Sequence, residues 1–146
     1  MKSVLLVGCI VTWAALAGLP EVKSESNPDR RARLALENAD TALTTARDAY
    51  KRQDSAATVA GLKELEDSVE LARLSLEETG RDPRRRPKAF KFGENRTREL
   101  IRRLDSLEND MDLDDRKLLD GAKAKLREVN EEWLLGIMNG HKRGGK

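Results

Sequence analysis

The densest concentration of chemically active side chains is a basic cluster at residues 81–91. The candidate contact residues in it are Arg84, Arg85, Arg86, Lys88 and Lys91. Asp82 is the only acid in this stretch. Guanidinium groups form forked hydrogen bonds that match carboxylates and phosphates. The cluster therefore predicts contact with an unknown acidic protein or with an anionic envelope component such as a lipid, a glycan or a polymer.

An intramolecular role for the same arginines is the interpretation that we favour. The predicted helix before the cluster is rich in acids and ends in Glu77 and Glu78. Helix C-termini also attract cations, so the arginines can fold back onto this helix end. Phe90 or Phe92 would then cover the open end of the helices. If the cluster faces outward instead, the two phenylalanines are placed for stacking or for contact with a membrane interface.

The sequence contains no set of residues that is typical of catalysis or metal binding. Its one histidine, His141, lies in a glycine-containing tail, and its one cysteine, Cys9, lies in an apolar segment. A Ser-His-Asp or Cys-His arrangement therefore has no positioned base. Glu-x-x-His pairs, Cys/His zinc motifs and glycine-rich phosphate loops do not occur in the sequence. We expect a protein that is not an enzyme and that uses no cofactor and no metal.

The N-terminal segment has the pattern of a secretory signal. Lys2 precedes an uncharged stretch whose apolar core, Val4–Ala17, is shorter than the roughly 20 residues that span a bilayer. Ala15, Leu16 and Ala17 have the small-x-small form of a signal-peptidase site. We predict a signal peptide at 1–17 and a mature chain that is exported, either to the periplasm or as a secreted protein.

Two alternatives to simple cleavage remain open for this segment. Leu6-Val7-Gly8-Cys9 resembles a bacterial lipobox, in which Cys9 would be acylated. An uncleaved segment would instead give the protein a membrane contact. In the cleaved form the mature chain has no cysteine, and an exported protein without disulfides depends on its hydrophobic core alone.

The composition is typical of long amphipathic helices. The chain has 146 residues, enough for one domain, of which 37% are charged and only 3% aromatic. Its formal net charge is +2, so any basic function must be local and nucleic-acid binding is not expected.

The spacing of apolar residues predicts four helices, at about 28–52, 55–79, 94–111 and 113–138. Asn27 and Pro28 form a helix start, and Gly80 is placed to end the second helix with a left-handed residue. Gly93 would weaken a helical turn by about 1 kcal/mol, so we expect the third helix only from about Glu94. The other segments are predicted to be a flexible lead at 18–27, a linker at 80–93 and a disordered basic tail at 141–146.

These elements predict an all-α fold. Two helical hairpins joined by the basic Pro/Arg linker would bury their apolar stripes as an antiparallel four-helix bundle over residues 28–140. Trp133 lies on the stripe of the fourth helix and is expected to anchor the core. A pair of hairpins that dimerises is the main alternative, so a homodimer is also possible.

Several short motifs in the second half of the mature chain carry a family resemblance. They are Leu76-Glu77-Glu78-Thr79-Gly80, Pro83-Arg84, Pro87-Lys88, Phe90-Lys91, Thr97-Arg98-Glu99-Leu100, Arg102-Arg103-Leu104-Asp105, Asp114-Asp115-Arg116 and Leu135-Gly136-Ile137-Met138. With these motifs the chain resembles short exported helical-bundle bacterial proteins of uncharacterised function, with Gly93 as a departure. The resemblance implies a secreted helical bundle and assigns no activity and no catalytic residue.

The sequence thus predicts an exported, non-catalytic helical protein that serves as an envelope or periplasmic interaction or structural module. The alternative is a protein that binds an anionic surface through its arginine-rich linker.

Overall fold

The computed structural model describes residues 18–139 of the chain. Within that range the fold is all-helical, with no strand, as the composition predicts. The α-helices are α1 (Leu19–Lys23), α2 (Pro28–Lys51), α3 (Ser55–Glu78), α4 (Lys88–Asp110) and α5 (Asp120–Asn139), and a 3-10 helix spans Arg116–Leu119. The predicted signal peptide with Cys9 and the predicted tail at 141–146 lie outside the described residues.

Local capping sets the ends of α2 and α3, which lie within one residue of the predicted bounds. The side chain of Asn27 accepts hydrogen bonds from the backbone N–H groups of Asp29 and Arg30, at 3.0 and 3.2 Å. The side chain of Asp54 accepts one from Ala57 at 3.1 Å. Such caps satisfy backbone donors that have no partner inside the helix.

Small residues let α2 and α3 pack closely as an antiparallel hairpin. A Cβ atom added at Gly61 of α3 would lie only 2.9 Å from the Cβ of Ala46 on α2. Nearer the other end of the hairpin, the buried Asn38 on α2 donates a hydrogen bond to Ser68 on α3, at 2.8 Å. The alanine-rich stripe of α2 is thus the surface that receives α3.

The predicted flexible lead at 18–27 is wrong in its first part. Leu19 and Val22 lie on one face of the short helix α1 and are buried against α2 and α3. Burial of these two apolar side chains stabilises the segment. The segment has no repeated apolar spacing in the sequence from which a helix could be predicted.

The predicted start of the third helix near Glu94 is also wrong, because α4 begins at Lys88 and contains Gly93. Gly93 is buried, and a Cβ atom added there would lie 2.6 Å from Cζ3 of Trp133 on α5. One turn earlier, Phe90 is only 5% exposed. The packing of this turn against α5 outweighs the low helix propensity of glycine, so the linker is shorter than the predicted 80–93.

The predicted fourth helix at 113–138 begins later than expected. The chain first turns at residues 112–115, then forms the 3-10 helix, and α5 starts at Asp120. The Tyr50 hydroxyl accepts a hydrogen bond from the backbone N–H of Asp112 at 3.0 Å and donates one to the Asp115 carboxylate at 3.1 Å. These two contacts hold the segment as a turn across the end of α2.

Helices α4 and α5 pack on each other as a second hairpin. The two hairpins meet through helices that run in the same direction. On α2 and α4, Asp40 pairs with Arg103, and Arg47 pairs with Asp110 at 2.8 Å, which is the same sequence offset. On α3 and α5, Glu70 pairs with Lys125 at 3.2 Å, and Arg73 lies 3.8 Å from Glu132.

Most of the buried apolar residues of the described chain form one connected cluster that includes Trp133, as predicted for this residue. None of the described helices is long and apolar enough to cross a membrane.

Candidate functional site

The basic loop, residues 79–87 between α3 and α4, is a tight and anchored turn. The side chain of Asp82 accepts a hydrogen bond from the backbone N–H of Arg84 at 2.9 Å. The Asp82 carbonyl accepts two more, from the N–H groups of Arg85 and Arg86, at 3.1 and 2.9 Å. Pro83 is buried beside Gly136 of α5. These contacts fix the backbone of the loop and direct the side chains that follow Pro83 outward.

All five predicted contact residues are exposed. Arg84, Arg85 and Arg86 lie on the basic loop, and Lys88 and Lys91 lie on the first turn of α4. Arg85 reaches Asp82 at 3.9 Å, and among residues 18–139 the other four form no ion pair.

The interpretation that the arginines fold back onto Glu77 and Glu78 is therefore wrong for Arg84, Arg85 and Arg86. Glu77 pairs with Arg73 of the same helix at 3.1 Å, and Glu78 pairs with Arg31 of α2, so both carboxylates already have partners outside the loop. Arg81 alone of the cluster turns inward, to Asp29 at 2.8 Å. Phe90 does cover the end of the helices, as that interpretation predicted.

Beside the loop lies an open depression, here called the cationic groove, of about 750 Å3 between the start of α2, the basic loop and the start of α4. Its only acid is Asp29, which is held by Arg81. The cations that line it are Arg30, Arg33, Arg81, Arg86, Lys88 and Lys91. The groove thus brings together three of the five predicted residues, while Arg84 and Arg85 lie outside it.

An aromatic side chain forms one wall of the cationic groove. The guanidinium carbon of Arg33 lies 4.8 Å from the centre of the Phe92 ring, and that of Arg96 lies 5.7 Å from it. Stacking on a ring uses the face of a guanidinium group and leaves the N–H groups at its edge free to donate. Arg33 makes no ion pair within the described chain, so its donors face the groove without a carboxylate partner.

The backbone adds positive potential to the same place. Both α2 and α4 begin at the cationic groove. Asn27 caps the first N–H groups of α2, whereas Pro87 at the start of α4 provides no side-chain cap. The N–H groups of the first helical turn lack partners inside the helix and carry a partial positive charge. This contribution supports the charge of the side chains and would not form a site alone.

Sequence reasoning missed Arg30 and Arg33 as members of this site. Arg30 and Arg33 are three residues apart on α2, a spacing that places two side chains on one helix face. That spacing was readable in the sequence. Their position next to Lys88 and Lys91 was not, because it depends on how α2 packs beside α4.

A second charged cluster, on α3 and α5, has a structural role. Hydrogen bonds from Arg73 lower the pKa of Glu70 to about 2. Partial burial of the carboxylate opposes this effect, and a hydrogen bond from Lys125 adds to it. Burial raises the pKa of Glu132 on the facing helix, and the charge of Arg73 opposes that rise. Each of the acids Glu70 and Glu132 thus lies beside a cation of this interface, and the cluster joins the two hairpins.

The described residues contain no group of three or more acids, histidines or cysteines that could hold a metal ion. Glu94 is a buried acid, and its carboxylate accepts hydrogen bonds from Arg98, while Asn130 of α5 donates to its backbone carbonyl at 2.9 Å. The Glu94 carboxylate thus already has a hydrogen-bond partner within the fold. The side chains of the cationic groove can bind an anion, and they include no nucleophile paired with a base.

Comparisons of the chain with protein-family models, with curated proteins and with solved structures found no match.

Proposed function

We propose that the chain is an exported, non-catalytic four-helix-bundle protein that binds an acidic partner of the cell envelope through its basic loop. The observation that carries this proposal is the exposure of Arg84, Arg85 and Arg86 on a loop whose backbone is anchored. A backbone that is already anchored loses little conformational freedom when a partner binds, which favours recognition.

Two other observations support the parts of the proposal. A four-helix bundle is expected to have contacts between parallel helices of its two hairpins and one connected core. Both features are present in the described chain. The signal-like pattern of residues 1–17 supports export. The collection of cations around the groove supports binding of an anionic partner.

A second candidate function is binding to an anionic surface such as a lipid, a glycan or a polymer. The distribution of the cations favours it, since they come from α2, the basic loop and α4 and therefore form a broad patch. A broad patch of one charge is suited to an extended surface of opposite charge.

The test is cross-linking capture from cell envelopes with the mature chain as bait. The test variant is Arg84→Ala, Arg85→Ala and Arg86→Ala together. The matched control is Lys51→Ala, Arg52→Ala and Lys117→Ala, which removes the same charge from exposed positions at the opposite end. All six side chains are exposed, so neither variant should lose more than about 0.5 kcal/mol per residue.

We expect the native chain and the control to capture the same partner, and the loop variant to lose it. The interaction should weaken as the salt concentration rises, because exposed charges are screened within about 10 Å at 0.1 M salt. Equal capture by all three baits would refute a role for the basic loop.

A further inference from the structure

We infer that the cationic groove is a binding site for the phosphate headgroup of an anionic membrane lipid. This inference rests on the second candidate function and names its ligand. The groove is an open depression of about 750 Å3, which has room for a lipid headgroup. Its positive charge is complementary to a phosphate, and four of its cations are without an acid partner in the described chain: Arg33, Arg86, Lys88 and Lys91.

The chemistry of the walls favours a compact anion with an apolar body. Arg33 offers the edge of its guanidinium group, and Lys88 and Lys91 offer ammonium groups from the neighbouring helix. Phe92 and Ala89 provide half-buried apolar surface beside these donors. A phospholipid headgroup carries a phosphate joined to a glycerol that bears the acyl chains. The phosphate matches the cations of the groove, and the adjoining apolar part matches Phe92 and Ala89.

The same walls are poorly suited to a peptide that binds through its backbone or through an apolar helix face. Acidic motifs are also recognised by arginine clusters, so an acidic peptide is one of the outcomes that the experiment tests. Extended peptides are recognised through free backbone groups at a sheet edge, and helical peptides through long apolar grooves. The cationic groove has neither, because its walls are two helices and a tight turn, and its apolar floor residues Leu36 and Leu76 are almost fully buried. Only side-chain cations and a small apolar wall are accessible to a ligand.

The surroundings of the groove fit a membrane surface. The last two turns of α5 expose Leu134, Leu135 and Met138, at 41, 46 and 64%. Leu135 lines a depression together with Pro83 and Arg81, so this part of the exposed apolar surface is beside the basic loop. Exposed apolar side chains next to cations are typical of proteins that bind at a lipid interface.

The experiment measures binding of the purified chain to three kinds of vesicle. The first contains phosphatidylcholine alone. The second also contains phosphatidylglycerol. The third contains oleate in place of phosphatidylglycerol, in the amount that gives the same surface charge. The groove variant is Arg33→Gln with Lys91→Gln, and the loop variant is Arg84→Gln with Arg85→Gln. Lys51→Gln with Arg52→Gln, at the opposite end of the molecule, is the control. Each variant removes two exposed cations.

We expect binding to phosphatidylglycerol vesicles and none to phosphatidylcholine alone. Each cation near an anionic surface strengthens binding about fivefold, so the loop variant should bind about 25-fold more weakly to both anionic vesicles. The affinity of the groove variant should fall by more than 25-fold for phosphatidylglycerol vesicles. For oleate vesicles it should fall by only about 25-fold, because oleate has no phosphate. The control should bind like the native chain.

Several outcomes would overturn the inference. They are equal losses for the groove and loop variants on phosphatidylglycerol, binding to phosphatidylcholine alone, and complete competition by inorganic phosphate, which would identify a site for free phosphate. Binding of an acidic peptide that is lost in the groove variant would overturn it in favour of a peptide ligand. Loop-dependent capture of a protein without vesicle binding would refute this inference and leave the first proposed function intact.

Discussion

Replacement of Gly93 by alanine separates local helix preference from tertiary packing. Helix propensity alone predicts that Gly93→Ala stabilises α4 by about 1 kcal/mol. The structure predicts the opposite, because the new Cβ atom would lie 2.6 Å from Cζ3 and 2.8 Å from Cε3 of the Trp133 indole. Carbon atoms in contact are normally about 3.5–4.0 Å apart, so the ring or the helix must move by about 1 Å.

The size of the effect follows from these two opposing contributions. Trp133 is only 2% exposed, so its ring has little space into which to move. Overpacking of a core costs about 1–3 kcal/mol. After the gain in helix propensity is subtracted, we expect Gly93→Ala to lower the free energy of unfolding by about 1 kcal/mol, and by about 2 kcal/mol at most.

Urea and thermal unfolding of the purified chain provide the assay. A loss of about 1 kcal/mol corresponds to a fall in melting temperature of roughly 4 °C for a chain of this size. Gly121→Ala is the matched control, because Gly121 is an exposed helical glycine whose Cβ would meet only the carboxylate of Glu66, at 2.5 Å. That side chain end can rotate away, so this variant should gain up to about 1 kcal/mol.

A double-mutant cycle tests the cause. Trp133→Phe removes the outer atoms of the indole, which are those nearest to position 93. In that background Gly93→Ala should be less harmful or even stabilising, with a coupling of about 1 kcal/mol between the two sites. The reasoning would be refuted by a Gly93→Ala variant at least as stable as the native chain, or by the same loss in both backgrounds.

Two further predictions concern the charged interface and the first hairpin. Because the pKa of Glu70 is about 2 in the folded protein and its ordinary value is 4.5, the stability that its ion pairs provide is present above about pH 4.5 and is lost as the pH falls toward 2. Glu70→Gln should therefore lower the free energy of unfolding by about 1–2 kcal/mol at pH 7, and the difference should disappear near pH 2; a difference independent of pH would contradict this prediction. Gln53 has a φ of 60°, a left-handed conformation that is unfavourable for a side chain, so Gln53→Gly should raise the free energy of unfolding by about 0.5 kcal/mol. Gly80→Ala, at a φ of 64°, should lower it by about 1 kcal/mol, and equal thermal stability of these two variants would refute the role of backbone strain.

The sequence by itself determined the features that depend on near neighbours. The ends of α2 and α3 were predictable because their caps, Asn27 and Asp54, lie directly beside the helices that they begin. The helical class followed from composition and from apolar spacing. The basic cluster was visible as a run of charges, and Trp133 as a member of an apolar stripe.

Only the tertiary structure decided the features that join distant residues. The start of α4 depends on Trp133, which is 40 positions after Gly93, and the turn at residues 112–115 depends on the Tyr50 hydroxyl. The cationic groove likewise requires Arg33 of α2 to meet Lys91 of α4. Helix propensity and charge runs describe a chain one segment at a time. Which side chains face each other is determined by the packing of whole helices, and that packing placed three of the five predicted cations around a groove.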